Sequence, residues 1–349
     1  MSQQMKGFRF AIGLITVFLL FYILKLGKDL LLPFVYALFI WYLVNILTYA
    51  FSTIRYRSFK IPRAICFIFS VATILGIGGL VVQIISTNIS NIASGSVIYR
   101  EKVGAIVSRL FTLANVEEPE SLSTLLQDLD LSRMMSEVAL GLTSIAGSTG
   151  LILIYLMFLF LEQKSFSNKL QNLSRNPEQL ENIRRIIKKI QSDVRLYLGI
   201  KTFTSALTGI LSYVIMVGIN LEFASFWAML IFLLNYIPSI GSILATIFPS
   251  LLALMQFDLT APFFVVAIGI TSLQFLIGNF LEPRLMGNSL NLSPLVILLS
   301  LTFWGTMWGI PGAFLCVPFM VILMIVLSHF EATQPIAVMM SRGGNVTKS

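Results

Sequence analysis

Asn235-Tyr236-Ile237-Pro238-Ser239-Ile240-Gly241 interrupts an apolar stretch running from about 223 to 256. A second stretch, about 292 to 328, is interrupted around Gly305 to Gly312, where Trp308-Gly309-Ile310-Pro311-Gly312 follows the same pattern of Ile-Pro with a nearby Gly. Proline removes an amide donor and blocks continued helix. Glycine permits sharp turns and close approach. Two full membrane crossings need about 20 residues each plus a turn, and the first stretch is too short for that. Two arms of about 14 to 16 residues would each reach about 22 Å at 1.5 Å per residue. The expected structure is a re-entrant hairpin that enters from outside, with its tip near the midplane. The second stretch, read the same way, opens from inside.

Working outward, the chain of 349 residues is 56% hydrophobic and 11% charged, with a mean hydropathy of +0.87. A soluble domain carries about 25% charged residues, so this chain lacks the polar surface to coat a soluble particle. Its apolar runs do not alternate, which excludes a barrel. The fold class is an all-α integral membrane protein: a multi-span helical bundle with two broken, re-entrant hairpins forming an inverted repeat in the C-terminal half. The net charge of +8 comes from basic residues flanking the apolar runs, which is topology-setting and no sign of nucleic acid. Cys66 and Cys316 fall inside apolar runs and read as buried small hydrophobes.

Spans fall at about 8–24, 30–51, 64–86 and 138–161. Lys25-Leu26-Gly27-Lys28-Asp29 follows the first run without a small-x-small cleavage site, so that run reads as an uncleaved helix. Arg55, Arg57, Lys60 and Arg63 form one basic cluster, and residues from Lys164 to Lys201 form another. Single crossings put both clusters on the side of Lys6 and Arg9, and the positive-inside rule makes that side cytoplasmic. Residues 1–86 thus hold spans one to three, 87–137 form an extracytoplasmic amphipathic segment, and 138–161 are span four. Residues 162–200 form a cytoplasmic amphipathic arm, 201–330 the transport core and 331–349 a cytoplasmic tail. Asn176, Pro177 and Glu178 provide start chemistry for the arm's helix.

The core contains two span-plus-hairpin units of opposite orientation. Broken apolar segments at matching places in two halves point to a solute site at their shared interface, because hydrocarbon cannot hydrogen-bond an interrupted backbone. Amides and carbonyls freed at the tips would coordinate the solute. The candidate binding or gating residues are Asn235, Tyr236, Pro238, Gly241, Asn279, Gly309, Pro311 and Gly312. Glu282, with Arg284 as its expected partner, is the candidate for ion or proton coupling if it lies within the membrane; near the inner interface the two would anchor a helix end instead. His329 reads as a helix-end cap. Trp304, Trp308 and Tyr236 read as packing residues, or as a stacking platform for a ring-shaped solute. There is no P-loop, no H-E-x-x-H and no Cys/His cluster, so neither a cofactor nor a metal is expected.

Leu234 to Ser242 resembles the broken-helix motif of the autoinducer-2 exporter (AI-2E) family. Gly278-Asn279-Phe280-Leu281-Glu282-Pro283-Arg284-Leu285-Met286-Gly287 is similar to a second block of that family, and Leu292-Ser293-Pro294-Leu295, continuing through Phe303-Trp304-Gly305 to Gly312 and Val317-Pro318, to a third. Pro33-Phe34 with Ala37-Leu38-Phe39-Ile40 agrees in the N-terminal part. The resemblance implies a non-enzymatic transporter of the bacterial inner membrane, often assigned to export of the quorum-sensing signal autoinducer-2, and a homo-oligomer, a pentamer, with an elevator-like or hairpin-gated mechanism. Some relatives exchange ions for protons. The expectation is therefore a secondary transporter of a small polar solute, with both termini cytoplasmic. A cation/proton antiporter on the same scaffold is the first alternative, and a non-transporting membrane scaffold acting through the 162–200 arm is the second.

Overall fold

The computed structural model describes residues 3–53, 55–56, 59–84, 87–88, 147–173, 176–257, 261–287 and 291–344. The expected amphipathic segment 87–137 and the start of the fourth span fall almost wholly outside the described residues. The helices are α1 (Gln3–Leu26), α2 (Lys28–Thr53), α3 (Arg63–Ile84), α4 (Thr149–Leu173), α5 (Pro177–Gly218), α6 (Ala224–Leu234), α7 (Ile240–Phe257), α8 (Ala261–Leu276), α9 (Glu282–Met286), α10 (Pro294–Trp308), α11 (Ile310–Ser328) and α12 (Gln334–Met340). A π-turn, Ile277–Leu281, joins α8 to α9. In the basic loop after α2, β1 (Arg55–Tyr56) pairs antiparallel with β2 (Phe59–Lys60).

Among the described residues six helices are long and apolar enough to cross a membrane: α2, α3, α5, α7, the run Ala261–Met286 and α11. Large apolar side chains such as Leu30, Ile68, Leu75, Ile210 and Ile268 stand exposed on their outer faces. In water such a surface would drive aggregation; against lipid it is satisfied, while the helices bond their own backbone.

The sequence separates an arm ending at 200 from a span beginning at 201. The structure shows one continuous helix of 42 residues, α5, about 63 Å long at 1.5 Å per residue. Nothing in that region breaks a helix: Gly199 sits in an unbroken helical turn, and no proline follows Pro177 within the helix. Pro177 occupies the first turn, where a missing amide costs nothing.

α5 links two apolar cores. Toward its C-terminus, Met216 joins Trp227, Leu230, Phe248, Leu252, Val266 and Ile270 from α6, α7 and α8. Earlier in the helix, Val194, Tyr197 and Leu198 join Leu301, Cys316, Val321 and Ile325 from α10 and α11, with Ala337 and Met340 of α12. Each core thus encloses one hairpin, α6–α7 or α10–α11. The arms are unequal. α6 has 11 residues and α7 has 18, because the break at Pro238 falls early in its apolar stretch. α10 has 15 and α11 has 19. At 1.5 Å per residue α6 spans about 16 Å, roughly half of a hydrocarbon core, whereas α7 and α11 have crossing length.

The two breaks differ locally. Residues 235–239 separate α6 from α7, with Ser239 at φ +60°. Gly309 alone separates α10 from α11, at φ 67° and ψ −143°. At the first tip the amides of Asn235, Tyr236, Ile237, Ile240 and Gly241 all donate within the turn. The expectation of freed amides at this tip is therefore corrected for these five residues: tight turns satisfy them locally, and side chains face the adjoining cavity.

Candidate functional site

The site begins with a proline. Pro283 has no amide to give the carbonyl four residues back and crowds it. Just before it the helix widens, and the Glu282 amide bonds the Ile277 carbonyl five residues back. Single π-turns of this kind occur often at functional positions. This one brings Gly278, Asn279 and Glu282 into the wall of a cavity of about 690 Å³, within the usual 300–1,000 Å³ range of small-molecule sites.

The first hairpin tip forms the facing wall with Asn235, Pro238, Ser239 and Ser242. α5 supplies Tyr197 and Lys201, α8 supplies Thr271 and Gln274, and the second hairpin contributes Ile297 and Val317. Asn235 is buried. Its Nδ2 lies 3.5 Å from Thr208 Oγ1, and its Oδ1 lies 3.5 Å from the Ser242 hydroxyl. These contacts stand at the outer limit of hydrogen bonding, so Asn235 retains capacity toward the cavity.

The Lys201 ammonium donates to both carboxylate oxygens of Glu282, at 2.8 and 3.0 Å. Thr204 Oγ1 approaches Glu282 Oε2 at 3.5 Å. Both charged side chains are largely buried, at 9% and 16% exposure. Removing one member of such a pair leaves the other charge uncompensated, at a cost of about 3–5 kcal/mol. The partner expected from sequence, Arg284, is exposed. It lies two residues beyond Glu282 on a single turn of helix, and positions two apart on a helix do not share a face. The cation on Glu282 comes from a helix 81 residues away in sequence.

Of the residues singled out from sequence, Asn235, Pro238, Asn279 and Glu282 line the cavity. Tyr236 packs behind it: its ring stacks on Phe314 with centroids 4.4 Å apart, and its hydroxyl donates to Thr202 at 2.7 Å. Gly241 sits at the start of α7, close against the end of α6. Gly309, Pro311 and Gly312 form the second tip, which does not reach this cavity. There Trp304, Trp308 and Phe319 pack on one another, and Trp308 Nε1 donates to the Leu24 carbonyl of α1 at 3.2 Å. These rings pack the tip against the first helix. His329 ends α11, its Nδ1 2.7 Å from the Ile325 carbonyl. Cys66 and Cys316 are free and buried.

Sequence reasoning missed Lys201, Tyr197, Gln274 and the π-turn. Lys201 read as one more basic residue in a cytoplasmic cluster. The available signal was its place at the head of a stripe on one face of α5, Lys201, Thr204, Ser205, Thr208 and Ser212, all of them buried. Buried polar residues in an apolar helix face the protein interior.

A family model described as AI-2E family transporter matches residues 12–332. The chain is 31% identical over 334 residues to a protein named AI-2 transport protein TqsA from Escherichia coli strain K12, covering 91% of each chain. It is 28% identical over 337 residues to a putative transport protein of Haemophilus influenzae, covering 95% of this chain and 96% of the relative. A putative transport protein of Borreliella burgdorferi is 38% identical over 201 residues, 57% of this chain and 54% of the relative. With its apolar helices and a polar, charge-paired cavity lined by them, the chain belongs to the AI-2E transporter family and is a multi-pass membrane transport protein, not an enzyme.

Proposed function

We propose that this protein is a secondary transporter that moves a small polar solute across the bacterial cytoplasmic membrane by alternating access. One observation carries the reading: a cavity of about 690 Å³ in which the first hairpin tip faces the π-turn across Asn235, Ser242, Asn279 and the Lys201–Glu282 pair. A broken helix beside a polar cavity inside an apolar bundle suits a site that opens to one side and then the other. Movement of the first tip relative to α5 and the π-turn would exchange the openings. The second tip acts as the counterpart element of an inverted repeat, both hairpins are re-entrant, and both termini are cytoplasmic. Assembly as a homo-oligomer, a pentamer by family resemblance, would cover part of the exposed apolar surface.

Autoinducer-2 is the first solute to test, because the 31% identical relative carries AI-2 transport in its name. Flux into and out of liposomes containing the purified protein, measured for autoinducer-2 and a panel of small polar solutes with and without ion gradients, tests the proposal. Asn235→Ala and Pro238→Ala should each slow flux at least about tenfold in protein that still folds. Wild-type flux in both variants would remove the tip from the mechanism.

Glu282 favours a second reading, a cation/proton antiporter, since a carboxylate in a membrane-embedded cavity suits a cation. Sodium- or lithium-driven pH changes in the same liposomes that disappear in Glu282→Gln would support it over solute transport.

A further inference from the structure

We propose that the Lys201–Glu282 ion pair is the charge filter of the cavity, holding the site electrically neutral so that it accepts uncharged, hydrogen-bonding solutes and rejects ions of either sign. This rests on the transport reading above and names the class of solute.

Among the described residues in the cavity wall, Lys201 and Glu282 alone carry formal charge, and each is bonded to the other. The remaining polar lining consists of amides and hydroxyls, such as Asn235, Ser242, Gln274 and Asn279. An entering ion would face two unfavourable choices. It could leave the pair intact and exchange part of its hydration for amides and hydroxyls that supply no counter-charge, which is costly. It could instead split the pair and strand Lys201 or Glu282, and an unpaired buried charge costs several kcal/mol. A neutral solute meets neither penalty.

The wall also has groups suited to such a solute. Tyr197 Oη and Gln274 Nε2 are buried without a hydrogen-bond partner among the described residues. Buried polar atoms normally have one. A small rearrangement at the wall would give a solute one hydroxyl that donates or accepts and one amide that donates. The fold holds the pair from two directions: Lys201 comes from the long helix α5, and Glu282 follows the π-turn that Pro283 imposes. Thr204, one turn along α5, lies 3.5 Å from the second carboxylate oxygen. Lys201 is thus a specificity-determining residue, and its removal is expected to change which charge the site admits as well as how fast it works.

The test uses the purified full-length chain in liposomes and three probes on one carbon skeleton: ribitol, its carboxylate ribonate and its amine 1-amino-1-deoxyribitol. Wild-type protein should move the polyol at least about tenfold faster than either ion, since each 1.4 kcal/mol of mismatch is a factor of ten. Lys201→Met leaves a net negative cavity and should raise the amine-to-polyol flux ratio at least about tenfold. Glu282→Gln leaves a net positive cavity and should raise the carboxylate-to-polyol ratio likewise. The double variant Lys201→Met/Glu282→Gln is neutral again and should restore the wild-type order. A pair that is only a structural strut would lower all three fluxes together and leave the ratios unchanged; that result overturns the filter. If the single variants do not reach the membrane, the wild type and the double variant decide. A wild type that moves either ion as fast as the polyol, that moves none of the three while carrying a charged solute such as sodium, or that differs from the double variant in charge preference overturns the filter and spares transport. Absence of flux for any solute, in this set and in the wider panel, ends both.

Discussion

Gly241 lies against the end of the preceding arm so closely that a Cβ on it would stand 1.8 Å from the carbonyl oxygen of Leu234. Gly312 repeats the relationship in the second hairpin, where a Cβ would stand 1.9 Å from the Trp304 carbonyl oxygen. Both obstacles are backbone atoms, which cannot rotate away as a side chain can. In each hairpin a glycine within the first turn of the second arm lets that arm close on the last turn of the first.

Gly241→Ala and Gly312→Ala should therefore each destabilise the fold by more than about 3 kcal/mol, above the usual range for overpacking. Thermal melts of detergent-solubilised protein would read this directly. Gly278→Ala is the matched control, because nothing lies within 4 Å of its Cβ position. It should melt close to wild type, and equal losses in all three variants would contradict the close-approach explanation.

Gly309 presents a different constraint. Its Cβ position is open, yet its backbone sits at φ 67° and ψ −143°, a region left essentially to glycine. Gly309→Ala should cost about 1–3 kcal/mol through backbone strain alone. Gly305→Ala, a helical site whose nearest neighbour is 3.9 Å away, should be neutral or slightly stabilising. Melts that rank these two variants the other way would show that the positive φ is not needed.

The Lys201–Glu282 pair predicts non-additive stability. Lys201→Met or Glu282→Gln alone should cost about 3–5 kcal/mol, because each strands a buried charge. The double variant should cost less than the sum by at least about 1 kcal/mol. Additive losses in a double-mutant cycle would mean that the two side chains do not bond in the membrane-embedded protein.

Tyr236 separates two contributions at the first tip. Tyr236→Phe removes the hydrogen bond to Thr202 and keeps the stack on Phe314. It should cost about 1 kcal/mol. Tyr236→Leu removes both and should cost roughly a further 0.5–1.5 kcal/mol. Equal melting temperatures for the two variants would rule out a contribution from the ring stack.

Much of the fold was legible because it follows from local chemistry. Pro238 and Pro311 cannot continue a helix, and the helices do stop at Asn235 and Gly309. Pro177 opens α5 as its missing amide allows. Length, hydropathy and these breaks sufficed for a helical membrane bundle. The end of the arm was not legible, since no residue near 200 interrupts the helix and a change from amphipathic to apolar does not require a bend. The site was half legible. Asn235, Pro238, Asn279 and Glu282 stood out as interruptions of apolar sequence, and all four line the cavity. Gly309, Pro311 and Gly312 stood out equally, yet their tip packs against α1 through Trp308.

Composition and proline-glycine placement thus determined a membrane-spanning helical protein with two broken arms, because helix termination and the demand for apolar surface act over a few residues of chain. Which charges meet was decided only in three dimensions. Arg284 is two residues from Glu282 in sequence, but the π-turn and the packing of α5 against α9 carry the carboxylate to Lys201. Pairing a buried charge depends on the direction of a side chain and the exclusion of water, and both are properties of assembled helices.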